Sequence, residues 1–358
     1  MKSNNRLLAA VALPLWLAAC ASSAPPPAPT QLAPPQWYSP LPHNGTLSDL
    51  TRWWQQFNDP LLVQLIESAQ TLSPTVASAR SRIEQARATR VATRAALLPT
   101  LDAQASAQRG NTQPPVPLAT TTQLGLQAGW EIDLFGANRN AARAAQSRLE
   151  GAQAGWHDAR VSVAAETANS YLALRTCERQ LGVVTNDATS RAETARLADL
   201  TAQAGFTAPA SAALARASAA EGSARATQQK ALCDVEVKTL VALSGLAEPQ
   251  LRRQLAVPWQ EPTLASLLTV TSVPARVIAQ RSDVYQAELE VAAASADVGN
   301  AQAQRFPRLT LSGSIAAVSV RSGGTTTDLD TWSIGPLALT LPLFDGGRRA
   351  ANVDAAKA

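Results

Sequence analysis

Few residues in this chain are equipped for covalent or metal chemistry: its 358 positions contain three cysteines and two histidines. His43 lies in a Pro-rich stretch and His157 in a long helical one, and neither has a neighbouring nucleophile or metal ligand, so both read as exposed side chains. No CxxC, HExxH, GxGxxG or phosphate-loop pattern occurs, and Gly346-Gly347 reads as a strand-to-helix turn. Acids such as Glu166, Glu178, Glu193 and Glu221 recur on helices among arginines and lysines, the pattern of a solvated face. No catalytic constellation, cofactor or metal site is expected.

The cysteines carry more information. Gly205 is equidistant in sequence from Cys177 and Cys233, within the break Gly205-Phe206-Thr207-Ala208-Pro209 between two helical stretches. An antiparallel hairpin turning there sets the two sulfurs side by side, about 42 Å from the tip at helical rise. A Cys177–Cys233 disulfide is therefore expected in an oxidising compartment, the alternative being two buried free thiols. Cys20 points to another chemistry. Lys2 and Arg6 precede an apolar run over residues 7–19 that is too short to span a bilayer, so residues 1–19 read as a signal peptide. Leu17-Ala18-Ala19-Cys20 is similar to a bacterial lipobox, in which cleavage leaves the thiol of Cys20 to carry lipid; an ordinary signal with an incidental cysteine is the alternative. By resemblance to lipoprotein sorting rules, Ala21 in place of Asp favours the outer membrane. Residues 20–45, rich in proline, read as a lipid-anchored extended tether.

Composition narrows the class. With 46% hydrophobic residues and a formal charge of only +4, the chain is not intrinsically disordered. Its longest basic runs are pairs, Arg252-Arg253 and Arg348-Arg349, which argues against nucleic acid as a partner. Roughly one residue in five is Ala, the best helix former and a small knob for close helix packing.

The elements that must position these residues follow from periodicity. Residues 46–98 read as N-terminal helices: Asp59-Pro60 caps one carrying Leu61, Leu62, Leu65 and Ile66, and Val76, Ala79, Ile83, Ala86 and Arg90 mark the next. Trp53-Trp54 before that cap read as packing anchors. After Pro99 the period becomes two, giving a first β-hairpin over residues 99–136, with a loop from Arg109 to Thr122 and Leu124, Leu126, Ala128, Trp130 and Ile132 on one face of its second strand. Residues 137–246 form a long helical hairpin whose first helix would reach roughly 100 Å at 1.5 Å per residue. Its seam runs Leu174, Cys177, Leu181, Val184, Ala188, Arg191, Ala195 and Ala198, with one polar interruption. An equatorial segment (247–273) and a helix (274–306) lead to a second hairpin over residues 307–345, again with a Gly/Thr-rich loop, and residues 346–358 begin a further helix. Val76 and Pro99 match Val284 and Pro307 at one offset, and Phe135 and Arg139 match Phe344 and Arg348 at an offset one residue larger, so the chain contains an internal duplication.

Strands of about ten residues, apolar on one face and polar on the other, have the pattern of membrane-spanning β-strands. Four are too few to close a barrel, so spanning requires oligomerisation; a soluble two-hairpin sandwich is the alternative. The lipobox, Trp53-Trp54-Gln55-Gln56-Phe57-Asn58-Asp59-Pro60-Leu61, the Leu98-Pro99-Thr100-Leu101 junction, residues 130–136 (WEIDLFG) and residues 342–349 (PLFDGGRR) together resemble the TolC-like outer-membrane efflux factors, in their NodT-type lipoprotein branch. The resemblance implies an α+β membrane protein: a homotrimer whose chains each give four strands to a twelve-stranded transmembrane barrel, above a periplasmic tunnel of long antiparallel helices. It implies passive conduction of drugs or other toxic solutes from an inner-membrane RND pump and its periplasmic adaptor, with no enzymatic step and no cofactor. The barrel–helix junctions are then Pro99, Phe135, Gly136, Pro307, Phe344 and Gly346. The adaptor-docking tip is Ala204, Gly205, Phe206 and Thr207, where an acid frequent in the family six positions after the Gly is Ser211 here. A type I protein-secretion duct or a non-conducting structural lipoprotein are the competing expectations. Measured against its own duplication the chain stops about 100 residues early, so the final helix pair and its gate are expected to be absent, leaving a tunnel that cannot close normally.

Overall fold

A computed structural model describes residues 53–111, 118–259 and 281–358. The signal peptide, Cys20, the tether, residues 260–273 of the equatorial segment and residues 274–280 of the following helix lie outside these ranges. The described residues fall into two compact units, one holding Arg82–Ala154 and Asp283–Ala358, the other residues up to Ser81 and Gly155–Ser282.

The element order after a short 3-10 turn, Trp53–Phe57, is α1 (Pro60–Leu72), α2 (Pro74–Ala95), β1 (Thr100–Gly110), β2 (Ala119–Ile132), α3 (Ala137–Gln203), α4 (Pro209–Ser244), α5 (Glu248–Leu255), α6 (Ser282–Ala303), β3 (Arg308–Ser322), β4 (Thr325–Thr340) and α7 (Arg348–Lys357). Proline opens α1, α2 and α4, where its missing N–H costs nothing and its fixed φ suits the first turn.

The four strands make one antiparallel sheet in the order β1-β2-β3-β4. Both hairpin loops are shorter than their composition suggests. Ala119–Thr122 pairs with Ser319–Ser322 as strand, and β4 starts at Thr325, so Gly323 and Gly324 alone turn the second hairpin. Their φ values of 57° and 85° suit a two-residue hairpin turn, and the flanking β-branched threonines favour extended backbone. In the same unit α3 packs antiparallel to α6. Arg148 bridges Asp297 at 2.5 Å and Glu290 at 3.7 Å, and Gly299 leaves room for the Asn140 side chain.

The second unit is organised by α3 and α4. Every seam residue foreseen on α3 is at least half-buried, and the polar interruption is satisfied: Arg191 pairs with Asp187 at 2.8 Å and donates to Ser218 Oγ at 2.9 Å. Gly222 of α4 faces it, and a Cβ there would lie 2.9 Å from Arg191 Cδ. Nearer the core, Leu62, Leu65 and Ile66 of α1 meet Tyr171 and Leu174 of α3, Val237 and Leu240 of α4, and Leu251 and Leu255 of α5. Trp54 and Phe57 stack at 6.0 Å and pack against this cluster.

Cys177 and Cys233 are joined by a disulfide, with Cα atoms 5.6 Å apart, across 56 residues of sequence. Closing a loop of that length restricts the unfolded chain by about 4 kcal/mol at 25 °C on chain-entropy grounds. Replacing both cysteines by alanine should therefore lower the denaturant midpoint of the helical hairpin and, because the unfolded chain expands, steepen the slope, and reduction of the unaltered protein should reproduce both changes.

Candidate functional site

Sheet register sorts the strand residues into two faces. Across the sheet, Leu101, Ala128, Gly313 and Ile334 share one row; Ala103, Leu126, Ile315 and Trp332 share the next; Ala105, Leu124, Ala317 and Asp330 the one after. Below them lie Trp130, Leu311 and Leu337, then Ile132, Leu309 and Leu339. Paired residues point to the same side, so these rows form one face that is apolar apart from Asp330 on β4. The opposite face carries Asp102, Gln104 and Ser106 of β1, Gln123, Gln127 and Glu131 of β2, and Ser314 and Ser333, whose hydroxyls lie 2.9 Å apart. The apolar face is open to its surroundings: Trp332 is 75% and Ile334 84% exposed. From Leu309 to Ala317 the band covers about 27 Å of strand, or about 20 Å of membrane normal at the usual tilt, near the height of a transmembrane barrel's lipid-facing belt.

Strict alternation back from Leu339 and Leu337 would put Trp332 and Ile334 on the polar face. The ladder shifts by one residue between Leu311 and Gly313, which pair with Leu337 and Ile334 respectively. The extra residue of β4 falls at Gly335-Pro336, residue types tolerated at bulges, and it returns Trp332 and Ile334 to the apolar side. Periodicity alone did not reveal this, because the alternation breaks at the bulge.

Both outer strands, β1 and β4, have one side without a strand partner among the described residues. In hydrocarbon each unsatisfied backbone group costs several kcal/mol, so such edges must be paired. No described helix is long and apolar enough to cross a membrane.

The junction residues fix the sheet to the helices. Pro99 ends the descent from α2, where Trp130 Nε1 donates to Leu97 O at 3.1 Å and Asn138 Nδ2 to Ala96 O at 3.4 Å. Phe135 stacks on Phe306, next to Pro307, at 4.9 Å, and Gly136 is buried with φ 80°. Asp133 accepts the backbone N–H groups of Asn138 and Arg139 and pairs with the Arg139 guanidinium. In the second repeat Asp345 does the same work, accepting the N–H groups of Gly347 and Arg349 and pairing with Arg349 at 2.9 Å. The acid has changed sides of its phenylalanine, so Arg349, rather than the offset-matched Arg348, is the partner of the turn. Burial acts to raise the Asp345 carboxyl, but the Arg349 and Gly347 bonds outweigh it and hold it below the usual carboxylate range. Phe344 is exposed, and Gly346 takes φ 65°.

At the other end of α3, Phe206 N–H bonds Thr201 O at 2.9 Å and Gly205 N–H bonds Ala202 O at 3.1 Å, a Schellman closure with Gly205 left-handed at φ 78°. Thr207 and Thr201 hydroxyls meet at 3.2 Å. Ala204 and the ring of Phe206 are exposed, the latter at 83%, and Ser211 N–H bonds Ala208 O as α4 begins. No described group of His, Cys, Asp or Glu could hold a metal ion.

A buried polar network that sequence reasoning missed ties the capping motif to α3. Asp59 caps α1 through Leu61 and Leu62 N–H, and its other oxygen accepts the Tyr171 hydroxyl at 2.5 Å. Arg175, only 5% exposed, donates to that hydroxyl at 3.1 Å, to Glu178 at 2.9 Å and to Leu255 O at 3.0 Å. Burial, then the bond to Asp59, pushes the Tyr171 hydroxyl above its ordinary range, so it remains a donor at neutral pH.

Three expected outcomes follow from this geometry. Leu126→Arg, near the middle of the apolar band, should cost about 2–4 kcal/mol of stability in a bilayer, read by urea unfolding in vesicles. Deleting Pro336 leaves one residue between Ile334 and Leu337, so the strand becomes regular with both still on the apolar side, and a thiol at Ile334→Cys should stay shielded from a water-soluble maleimide. Tyr171→Phe should cost about 1–3 kcal/mol through the unpaired Arg175 and Asp59 groups. A raised folded-state value contributes stability that is complete below about pH 10 and fades as pH rises above it, so the variant should show a flatter alkaline limb in thermal unfolding.

Comparison with known proteins agrees with this architecture. Residues 65–246 and 273–358 match the profile of the family described as outer membrane efflux protein. The chain is 29% identical to Nodulation protein T of Rhizobium leguminosarum bv. viciae over 356 residues, covering 98% of this chain and 72% of that protein. It is 31% identical over 372 residues to the pyoverdine export outer membrane protein OpmQ of Pseudomonas putida, covering 97% and 75% of the two. The solved outer-membrane channel OprN superposes with a TM-score of 0.80 at 27% identity, over 92% of this chain and 76% of that one. VceC of Vibrio cholerae does so at 0.71 and 27% identity, over 86% and 74%. The chain belongs to the outer membrane efflux protein family, and its four-stranded sheet and long helices are that family's channel fold at the outer membrane.

Proposed function

We propose that three copies of this chain close a twelve-stranded barrel and act as the outer-membrane duct of a tripartite RND-type efflux system. The observation that carries this reading is a sheet with one largely apolar face and, among the described residues, two edges lacking strand partners. Four strands cannot close on themselves, and pairing β4 of one copy with β1 of the next removes every edge. The polar face then lines a water-filled lumen, through which drugs or other small toxic solutes pass without a catalytic step. Energy and most of the selectivity belong to the inner-membrane pump.

The exposed tip at Ala204, Gly205, Phe206 and Thr207 is the docking point for a periplasmic adaptor, and lipidated Cys20 anchors the tether in the outer membrane. The lipobox and the Trp53-Trp54 motif favour this system over a protein-secretion duct, and pyoverdine export by a relative is also small-molecule traffic. The test is direct. Protein extracted from outer membranes should run as a heat-modifiable, SDS-resistant trimer and give discrete conductance steps in planar bilayers. A monomer without conductance would overturn the duct and leave a structural lipoprotein.

A further inference from the structure

We propose that Arg109 and Arg321 form a seat for the phosphate of an outer-leaflet lipid, an inference that rests on the membrane-spanning reading of the sheet. Above the last apolar row on β1 to β3, the outward face continues with Ala107, Thr122, Ser319 and Asp328, then with Arg109, Thr120, Arg321 and Thr326. These rows lie at the hairpin-turn end, beside Gly323-Gly324, and the junctions at Pro99, Gly136 and Pro307 lie at the opposite end with the helices. With the helical body in the periplasm, the Arg109–Arg321 row stands at the outer headgroup level.

Arg109 and Arg321 flank Thr120 on adjacent strands, about 10 Å apart along the hydrogen-bonding direction. Both side chains are exposed and stand on the lipid side, so pairing of the β1 edge with another copy leaves Arg109 facing outward. Two guanidinium forks on either side of a hydroxyl suit a phosphomonoester, which accepts several charge-assisted hydrogen bonds at once. Arg321 is oriented by a bond from its Nε to Thr326 Oγ1 at 3.3 Å. The acids of this face, Asp328 and Asp330, are confined to β4, so the strip across β1 to β3 is purely cationic. The apolar band directly below would take the acyl chains of the same molecule. That continuity selects a phosphorylated lipid over free phosphate.

The full-length trimer in detergent is heated with bisphosphorylated lipid A, with the same lipid stripped of phosphate, or with inorganic phosphate, and the temperature at which it dissociates on SDS gels is read. Lipid A should raise that temperature by several degrees, and the other two additions should not. R109Q/R321Q should lose the shift and bind lipid A at least about tenfold more weakly, whereas R109K/R321K should keep much of it. An equal shift in R109Q/R321Q, or with dephosphorylated lipid, overturns the proposal. So does a shift abolished by a chelator and by D328N/D330N, since acids bridged through a divalent cation would then hold the lipid. Failure of the lipid-free protein to form any SDS-resistant trimer counts instead against the duct.

Discussion

Backbone polarity in hydrocarbon is the constraint on which this protein depends. A strand of apolar-outward residues can sit in a bilayer only if its N–H and C=O groups are all bonded within protein. This sheet satisfies its interior strands and, among the described residues, leaves β1 and β4 each with one unpaired side, so those four strands by themselves are an incomplete membrane element. The rest of the architecture serves that incompleteness. The junctions hold both hairpins at one end of the helices, and the lipid-facing rows run level across all four strands. A β4 bulge is tolerated because it keeps Trp332 and Ile334 in those rows.

The helical part solves a different problem. Long helices with small side chains bury little apolar area per residue, so Ala-rich packing gains less from the hydrophobic effect than a Leu-rich core. Here the deficit is met by cross-links between segments distant in sequence. One is the Cys177–Cys233 disulfide, and another is the Asp59–Tyr171–Arg175 network that also reaches the end of α5. Removing one partner from such a network leaves a buried charge, which is more costly than the pair is stabilising. Surface pairs such as Arg87–Glu84 and Arg196–Glu193 are exposed and contribute little by comparison.

Sequence duplication and structural duplication agree in outline and differ in detail. Each repeat runs helix, hairpin, turn and helix, and each turn places an aspartate on the first N–H groups of the next helix. The aspartate precedes Phe135 in one repeat and follows Phe344 in the other, so a fixed offset finds the phenylalanines and misses the functional match of Asp133 with Asp345. The two turns converge on the same electrostatics because free N–H groups at a helix start donate to any carboxylate within reach.

By itself the sequence determined whatever depends on near neighbours along the chain. The period of two gave the apolar strand faces, the 3,4 spacing gave the α3 seam, and the symmetric placing of Cys177 and Cys233 about Gly205 paired the thiols. These patterns are legible because backbone geometry repeats every two or 3.6 residues. Tertiary structure decided what depends on partners brought together from afar. Tyr171 meets Asp59 across 112 residues, and Gly222 accommodates an arginine on another helix. Strand length at both hairpin turns was set by cross-strand pairing, where composition alone had suggested loops. The outward side of Trp332 was fixed by its ladder partner Ile315, since an extra residue in one strand reverses every side chain beyond it.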